Sequence, residues 1–459
     1  MPEPLDTDVA IAGVGVVGCA IARELTRFRL RVTLLEAGPD VGAGTSKANT
    51  ALLHTGFDAK PGTLEARLVA RGYELLGAYA ERVGIPVERT GALLVAWNEE
   101  QVARFPEILD NARANGSLDL RTVGVEELYE REPQLGPGAY GAIEVPREAL
   151  VCPFTTPLAY ATEAALAGCD LRVSSPVTSV ARLDGGGFRL GVPGGELTAR
   201  YLVNAAGLRS DELDRMAGHD GFTITPRRGE LIVFDKLARP LVEHIVLAVP
   251  TAVTKGVLIA PTVFGNVMLG PTAEDVEGKD DTESTRAGLD YLRAECARIL
   301  PELLRHEVTA VYAGLRAATE HSDYQLSVHA PEGYVRVAGI RSTWLSASMA
   351  IAEHVRDGLA EAGLGLEPKA EPPPEFTMPN IGERGPRAYQ RDDLGDPDYG
   401  RIVCFCERVT RGEIRDALAA PVPAVDLDGL RRRTRAHMGR CQGFYCGAEL
   451  AAQLDGRAP

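Results

Sequence analysis

The chain has 459 residues, 45% of them hydrophobic and 25% charged, with a formal net charge of −15. That length suits about three domains whose cores need no covalent staples. The acidic balance excludes a general nucleic-acid binder, which needs a basic face. The start, MPEPLDTDVAIAG, has no basic n-region, and no run approaches about 18 uninterrupted apolar residues. Neither a signal peptide nor a transmembrane helix is therefore expected, and the expected location is the cytoplasm, where thiols stay reduced.

TDVAIAGVGVVGCAIARELTRFRLRVTLLEAG predicts a buried strand, a glycine turn, a helix and a second strand. Gly13, Gly15 and Gly18 form G-x-G-x-x-G, which permits a tight turn, backbone approach to a pyrophosphate and close helix–strand packing. The helix N-terminus offers free N–H groups to phosphates. Glu36, 18 residues beyond Gly18, ends the second strand, where a carboxylate can accept hydrogen bonds from a ribose diol. This context predicts a dinucleotide site, for NAD or FAD. A polar, glycine-rich loop follows and leads to His54.

Residues 76–150 and 222–330 lack this signature and carry β-rich runs: GALLVAW, ELIVF and GVLIAPTVFGNVMLGPT. The last, punctuated by Pro261 and Pro271, predicts an antiparallel hairpin. YLVNAAGLRSDEL (201–213) and GYVRVAGIRSTWLSASMAIAEHV (333–355) each return to a strand, a turn and a helix start.

The order of these segments resembles the FAD-dependent D-amino-acid oxidase-like superfamily. The resemblance implies an α/β fold: a Rossmann-like FAD-binding domain, discontinuous over 1–75, 151–221 and 331–365, with an inserted α+β antiparallel-sheet substrate domain over 76–150 and 222–330. It implies FAD contacts from Gly13, Gly15, Val17, Gly18, Glu36, Ala37, Thr45, Ser46, Val177, Ala206, Gly207, Gly339, Ser342, Thr343 and Trp344. A helix dipole beside the flavin's pyrimidine edge would stabilise the anionic reduced ring.

TPRRGELIVFDK, TKGVLIAPTVFGNVMLGPTAEDVEGKDD, VYAGLRAAT and HTGFDAKPG are similar to a narrower group, the anaerobic-type glycerol-3-phosphate dehydrogenase large subunit and the L-2-hydroxyglutarate oxidases. Both groups oxidise a secondary alcohol on an anionic substrate. Hydride must leave carbon for flavin while a base takes the hydroxyl proton. His54 is the expected base, because imidazole titrates near working pH. Arg316 is the expected anion anchor and catalytic partner, with Lys255 and Arg341 as further substrate ligands. Arg228 is expected to be structural. The closing segment GIRSTWLSASMA departs from the glycerol-3-phosphate pattern: Arg341 replaces a lysine, and a tyrosine and second arginine are missing. This leaves a phosphate dianion with fewer partners.

Residues 366–400 are rich in proline, glycine and charge and predict an extended linker packed over a surface. A small helical module over 401–459 follows, with C-x-C at Cys404 and Cys406, a Thr410 helix cap, and C-x4-C at Cys441 and Cys446. Zinc modules favour C-x2-C pairs, whereas iron–sulfur sites use four thiolates at more varied spacing. The arrangement, with TRAHMGRCQGFYC, resembles the [2Fe–2S] module of bacterioferritin-associated ferredoxin type. It implies these four cysteines as metal ligands, each sequence pair serving one iron, with zinc the less favoured metal. The Arg431–Arg435 run is expected as a solvated helix face, with balancing of the cluster charge or docking of an acidic partner as the alternatives.

The function expected from the resemblance is FAD-dependent oxidation of a small anionic secondary alcohol, glycerol 3-phosphate first. Electrons would leave through the cluster to an acceptor protein or quinone-linked subunit, with peripheral membrane association through that partner. L-2-hydroxyglutarate or another 2-hydroxy acid, a secondary amine of proline or sarcosine type, and an electron-transfer subunit are the alternatives.

Overall fold

The computed structural model describes residues 5–250 and 256–456. Its first sheet has a parallel centre in the order Asp170–Arg172, Val32–Leu35, Thr7–Ala12, Gly195–Asn204 and Tyr334–Ala338. Registers Ala12↔Leu35 and Ala12↔Asn204 align the carboxyl ends of these strands. The loops after them, at 13–15, 36–38, 205–207 and 339–343, therefore converge at one edge, where ligands bind in open α/β sheets. Helix Trp344–Glu361 packs on both Val16–Leu25 and Leu64–Val83 and seals one face.

The second sheet joins both inserted segments. Strands Arg121–Val123, Gly141–Val145 and Ala92–Ala96 come from the first, and Ala92–Ala96 then pairs with Ile245–Ala248 of the second in the sheet's parallel contact. The predicted hairpin forms from Leu258–Pro261 and Val267–Gly270. Thr225–Phe234 runs antiparallel to Val308–Ala318 along its whole length. Period-2 alternation puts Arg227, Gly229 and Leu231 on the cavity face, opposite Arg316 and Gly314.

Two segment edges differ from the sequence reading. Helix Leu64–Val83, capped by the Thr63 side chain at its start and by left-handed Gly84 at its end, runs through the 75/76 boundary. Strand Gln325–His329 pairs with Tyr334–Ala338 and so belongs to the first sheet, not the second. The helix edge follows from an amphipathic run that continues past residue 75. The strand edge follows from a hairpin turn at 330–333 that the sequence reading placed at a domain border.

The linker runs along the body, with Lys369, Met378 and Glu383 amides donating to the Arg27, Val83 and Val263 carbonyls. The tail module packs helices Arg411–Ala419, Leu427–Thr434 and Gly447–Asp455 around Val403, Ile414, Leu430 and Leu450. The expected Thr410 cap forms a reciprocal box with Glu413. Among the described residues no helix is long and apolar enough to cross a membrane.

Candidate active site and cysteine centre

The glycine turn is built for close approach. A Cβ on Gly13, which has φ +106°, would lie 2.3 Å from the Ala205 carbonyl oxygen, and one on Gly18 would lie 1.9 Å from that of Gly13. Val16 N–H at the helix start donates to Ser46 Oγ at 3.0 Å. Glu36 accepts from the amides of Val14 (2.8 Å) and Gly38 (2.7 Å), which fixes its carboxylate at the strand end. Val177 packs with Leu35 and Ala10 beside it, while Ala37 is exposed and Val17 half-buried. Thr45 Oγ donates to the Leu315 carbonyl, tying this loop to the second sheet. Ala206 and Gly207 follow Ala205, whose amide bonds Ala12 next to the turn. The N-cap residues Gly15 and Thr343 make no side-chain cap, so beyond the Val16–Ser46 bond both positive helix ends remain open to a ligand. Gly339, with φ +66°, turns the chain into the second of these ends, where Ser342, Thr343 and Trp344 line a cavity. These residues fit a flavin dinucleotide: a phosphate cradle, a ribose carboxylate and a dipole at the ring end.

The cavity, of about 430 Å³, lies between the sheets and is lined among others by His54, Asp58, Arg227, Arg316, Arg341 and Ser346. His54 is held from three sides. Its amide donates to Ser346 Oγ at 2.7 Å, its Nδ1 meets Glu148 Oε1 at 2.8 Å, and its Nε2 meets Asp58 Oδ1 at 2.9 Å. Burial alone would push the imidazole pKa down, but Glu148 and then Asp58 outweigh it and raise it to about 10. His54 therefore rests as an imidazolium at neutral pH and becomes a proton acceptor only when it is relieved of its Nε2 proton. Glu148 is fully buried; its Oε1 also accepts from the Thr55 amide and hydroxyl, and its Oε2 has no partner among the described residues. Asp58 lies four residues beyond His54, and a histidine–carboxylate pairing at that spacing is a usable sequence signal. Glu148, 94 residues away, leaves none.

Among the described residues Arg316 hydrogen-bonds only the Thr272 carbonyl, at 3.4 Å, and Arg341 donates to the His321 carbonyl. Among the described residues neither forms an ion pair, so the cavity holds two uncompensated guanidiniums. Burial, and next the neighbouring Arg227, bring the Arg316 pKa down to about 10. Arg228 points to the other face, paired with Glu274 (2.6 Å) and Asp281 (3.3 Å), which makes it structural. Lys255 lies outside the described residues.

The four tail cysteines are free thiols and gather as two pairs that cross the sequence order: Cys406 hydrogen-bonds Cys441, and Cys404 hydrogen-bonds Cys446. The Ile402–Thr410 hairpin and the 441–446 turn face each other, which brings the four thiols to one place. Backbone N–H groups of Tyr445, Gly443 and Phe444 lower the Cys441 pKa, while burial pushes Cys446 up to about 12. A Cβ on Gly439 would lie 2.2 Å from Cys406 Cβ and 3.3 Å from its sulfur, so glycine is needed for that approach. Among the described residues no three of these sulfurs lie within 4.8 Å of one another. Four thiolates on one tetrahedral zinc, each about 2.3 Å from the metal, would all lie closer than that. The donor set fits a two-iron cluster with two thiolates at each end.

The arginine run is not a solvated face. Arg432, Arg433 and Arg435 are buried. Arg432 and Arg433 both grip Asp40 in the first lobe, at 2.5 and 2.7 Å. Arg435 pairs with Glu407 and stacks over the Phe264 ring at 4.1 Å. The run therefore docks the tail module onto the body of its own chain.

Family comparison agrees with this geometry. Residues 8–357 match the FAD dependent oxidoreductase family and residues 402–455 the BFD-like [2Fe-2S] binding domain. The chain is 34% identical over 442 residues to the glycerol 3-phosphate dehydrogenase of Caloramator mitchellensis, covering 96% of this chain and 92% of that one. It is 28% identical over 275 residues to the mitochondrial L-2-hydroxyglutarate dehydrogenase of Caenorhabditis elegans, covering 58% of this chain and 63% of that one. The structure resembles that of dithionite-reduced L-α-glycerophosphate oxidase from Mycoplasma pneumoniae with FAD bound (TM-score 0.77, 27% identity, 82% of this chain and 99% of that chain). With the nucleotide turn, the uncapped helix ends and the cysteine pairs in place, the chain belongs to the FAD-dependent oxidoreductases and carries a BFD-like [2Fe–2S]-binding domain at its tail.

Proposed function

We infer that the protein dehydrogenates the secondary alcohol of glycerol 3-phosphate or a closely similar phosphorylated polyol. The observation that carries this is the pair of uncompensated guanidiniums, Arg316 and Arg341, in the same cavity as the His54–Asp58 couple. An anion is needed to neutralise the first two, and a hydroxyl proton can be taken by the second. The chemistry supplied by the two groups when bound is hydride acceptance at the flavin and one-electron transfer at the cluster.

The chain's own residues handle the proton. Once His54 has lost its Nε2 proton to the medium, the freed Nε2 takes the substrate hydroxyl proton, and Glu148 keeps Nδ1–H in place. Each substrate oxidised thus gives up one hydride and one proton. A 2-hydroxy acid is the second reading, favoured by the closing segment Gly339–Ala350, which lacks a tyrosine and a second arginine. An amine substrate is supported by fold likeness alone. An electron-transfer subunit without its own chemistry does not account for the His54 couple.

Electrons leave towards a protein acceptor, and the rim of the cysteine centre supports this. Phe405, Phe444 and Tyr445, beside the ligand cysteines, are 70%, 83% and 73% exposed. A quinone-linked partner at the membrane's inner face would give the protein a peripheral location.

Anaerobic mixing with glycerol 3-phosphate is expected to bleach the flavin band, faster than L-2-hydroxyglutarate or proline does; no bleaching by any of the three refutes the enzyme reading. Cys441→Ser is expected to abolish bound iron and sulfide while FAD stays stoichiometric. Stoichiometric zinc in the native protein, with no iron, would refute the cluster assignment.

A further inference from the structure

The closing segment lacks the second arginine expected of a phosphate site, and the second sheet supplies another. We propose that Arg227 is the specificity-determining residue of the cavity, forming with Arg316 a two-guanidinium clamp that selects a phosphate dianion over a carboxylate. The inference rests on the anionic-substrate reading above and extends it to a further residue of the second sheet.

Arg227 and Arg316 are direct partners across the antiparallel ladder Thr225–Phe234/Val308–Ala318. Like charges directly opposite on one face repel, so this arrangement stands only if an anion accompanies it. Among the described residues Asp275 is the one carboxylate paired with either guanidinium. It accepts from Arg227 Nε at 2.6 Å and Nη2 at 2.9 Å. Among the described residues the Nη1 side of Arg227 has no partner and Arg316 pairs with no carboxylate. Glycine at 229 makes the pairing possible: a Cβ there would lie 2.9 Å from Arg316 Nη2, so the Arg316 guanidinium lies over the strand that carries Arg227.

Arg227 also lies between the inner cavity and an outer one lined by Thr223, Thr225, Thr319, Asp275 and Glu320, where it is the cationic group. The anionic end of a substrate entering by that route meets Arg227 first and Arg316 next. Two guanidiniums less one aspartate leave one net positive charge, and Arg341 adds a second. Together they match a phosphate monoester, whose charge near −2 sits on one group at neutral pH, better than the single −1 carboxylate at either end of L-2-hydroxyglutarate.

The test uses the holoenzyme with Arg227→Met and Arg227→Lys. Arg227 is 44% exposed on its side chain and its ion pair is a surface one, so neither variant threatens the fold. Inorganic phosphate is titrated against the oxidised flavin spectrum, and KM and kcat are measured for glycerol 3-phosphate and for L-2-hydroxyglutarate. Arg227→Met is expected to weaken phosphate binding and raise the KM for glycerol 3-phosphate by about 10- to 100-fold, the scale of a lost charged hydrogen bond. The kcat is expected to stay within about threefold, as is the KM for the carboxylate substrate. Arg227→Lys should recover part of the phosphate affinity. Unchanged phosphate binding in Arg227→Met overturns the clamp, and an equal loss for carboxylate overturns its selectivity. A wild-type flavin that glycerol 3-phosphate does not reduce, combined with weakened phosphate binding in the variant, would refute the assigned substrate and leave the clamp standing.

Discussion

Glu148→Gln is expected to slow flavin reduction at its pH plateau by about 10²- to 10⁴-fold and to move the rising limb of the pH profile to lower pH. Glu148 Oε1 sits 2.8 Å from His54 Nδ1 and is the larger of the two charges that raise the imidazole. In the wild type the limb lies towards pH 10, because the neutral imidazole that accepts the proton is scarce below it. With an amide in place of the carboxylate, burial and Asp58 alone set the balance, and the pKa falls. The plateau drops as well, because an imidazolium forming during proton transfer loses its buried counter-charge. A stability signature accompanies the kinetic one. The folded pKa of about 10 exceeds the unfolded 6.5, so this group's contribution is whole below pH 6.5 and disappears as pH rises through 10. At about 1.4 kcal/mol per unit, the wild type loses several kcal/mol across that window, and Glu148→Gln loses less. Stopped-flow reduction from pH 6 to 10.5 and melting curves at both ends measure these effects. A variant profile that superimposes on the wild type would sink the assignment. The variant should fold, since a glutamine oxygen still accepts from the Thr55 amide and hydroxyl.

Local spacing carried what it physically could. The glycine turn and Glu36 lie on one strand–helix–strand unit, so a single window of sequence holds both. The Thr410 cap, whose box with Glu413 spans four residues, was equally visible. His54 could be singled out as an ionisable residue at the end of the flavin loop. Its protonation state could not, because that depends on a carboxylate 94 residues away, brought in by strand Ala149–Val151 pairing with Leu52–Leu53. Arg227 was hidden for a similar reason. Its role lies in the register between two strands, and a one-residue slip would have put Arg228 in its place. The arginine run misled because its pattern on a short polar helix is that of a solvated face. Its partner Asp40 lies 393 residues earlier, in a loop with no periodicity of its own.

That carboxylate sets the second large effect. Asp40→Ala is expected to destabilise docking of the tail module by about 3–5 kcal/mol, the cost of leaving buried charge without its partner. Asp40 is 2% exposed, and both of its oxygens are engaged by Arg432 and Arg433, which are 3% and 6% exposed. Burial alone would raise its pKa, but Arg433 and then Arg432 hold it below the usual value. Its contribution is therefore present above pH 3.8 and is lost as the medium acidifies below that. Asp40 lies four residues beyond Glu36, and Lys47, next to Ser46, pairs with Asp428 of the same tail helix at 3.3 Å. The module therefore grips the loop that frames the flavin's ribose and phosphate side. Losing this grip should expose the 366–400 segment to trypsin and slow the passage of electrons from reduced flavin to the cluster, while substrate still bleaches the flavin at the wild-type rate. Replacing all three residues, Asp40→Ala with Arg432→Met and Arg433→Met, should restore much of the docking, because apolar side chains of similar length carry no desolvation debt. If Asp40→Ala keeps the wild-type proteolysis pattern and electron-transfer rate, the module is held by its Arg435–Phe264 and Arg440–Asp235 contacts with the second lobe instead. The fixed geometry between flavin and cluster would then depend on that lobe alone.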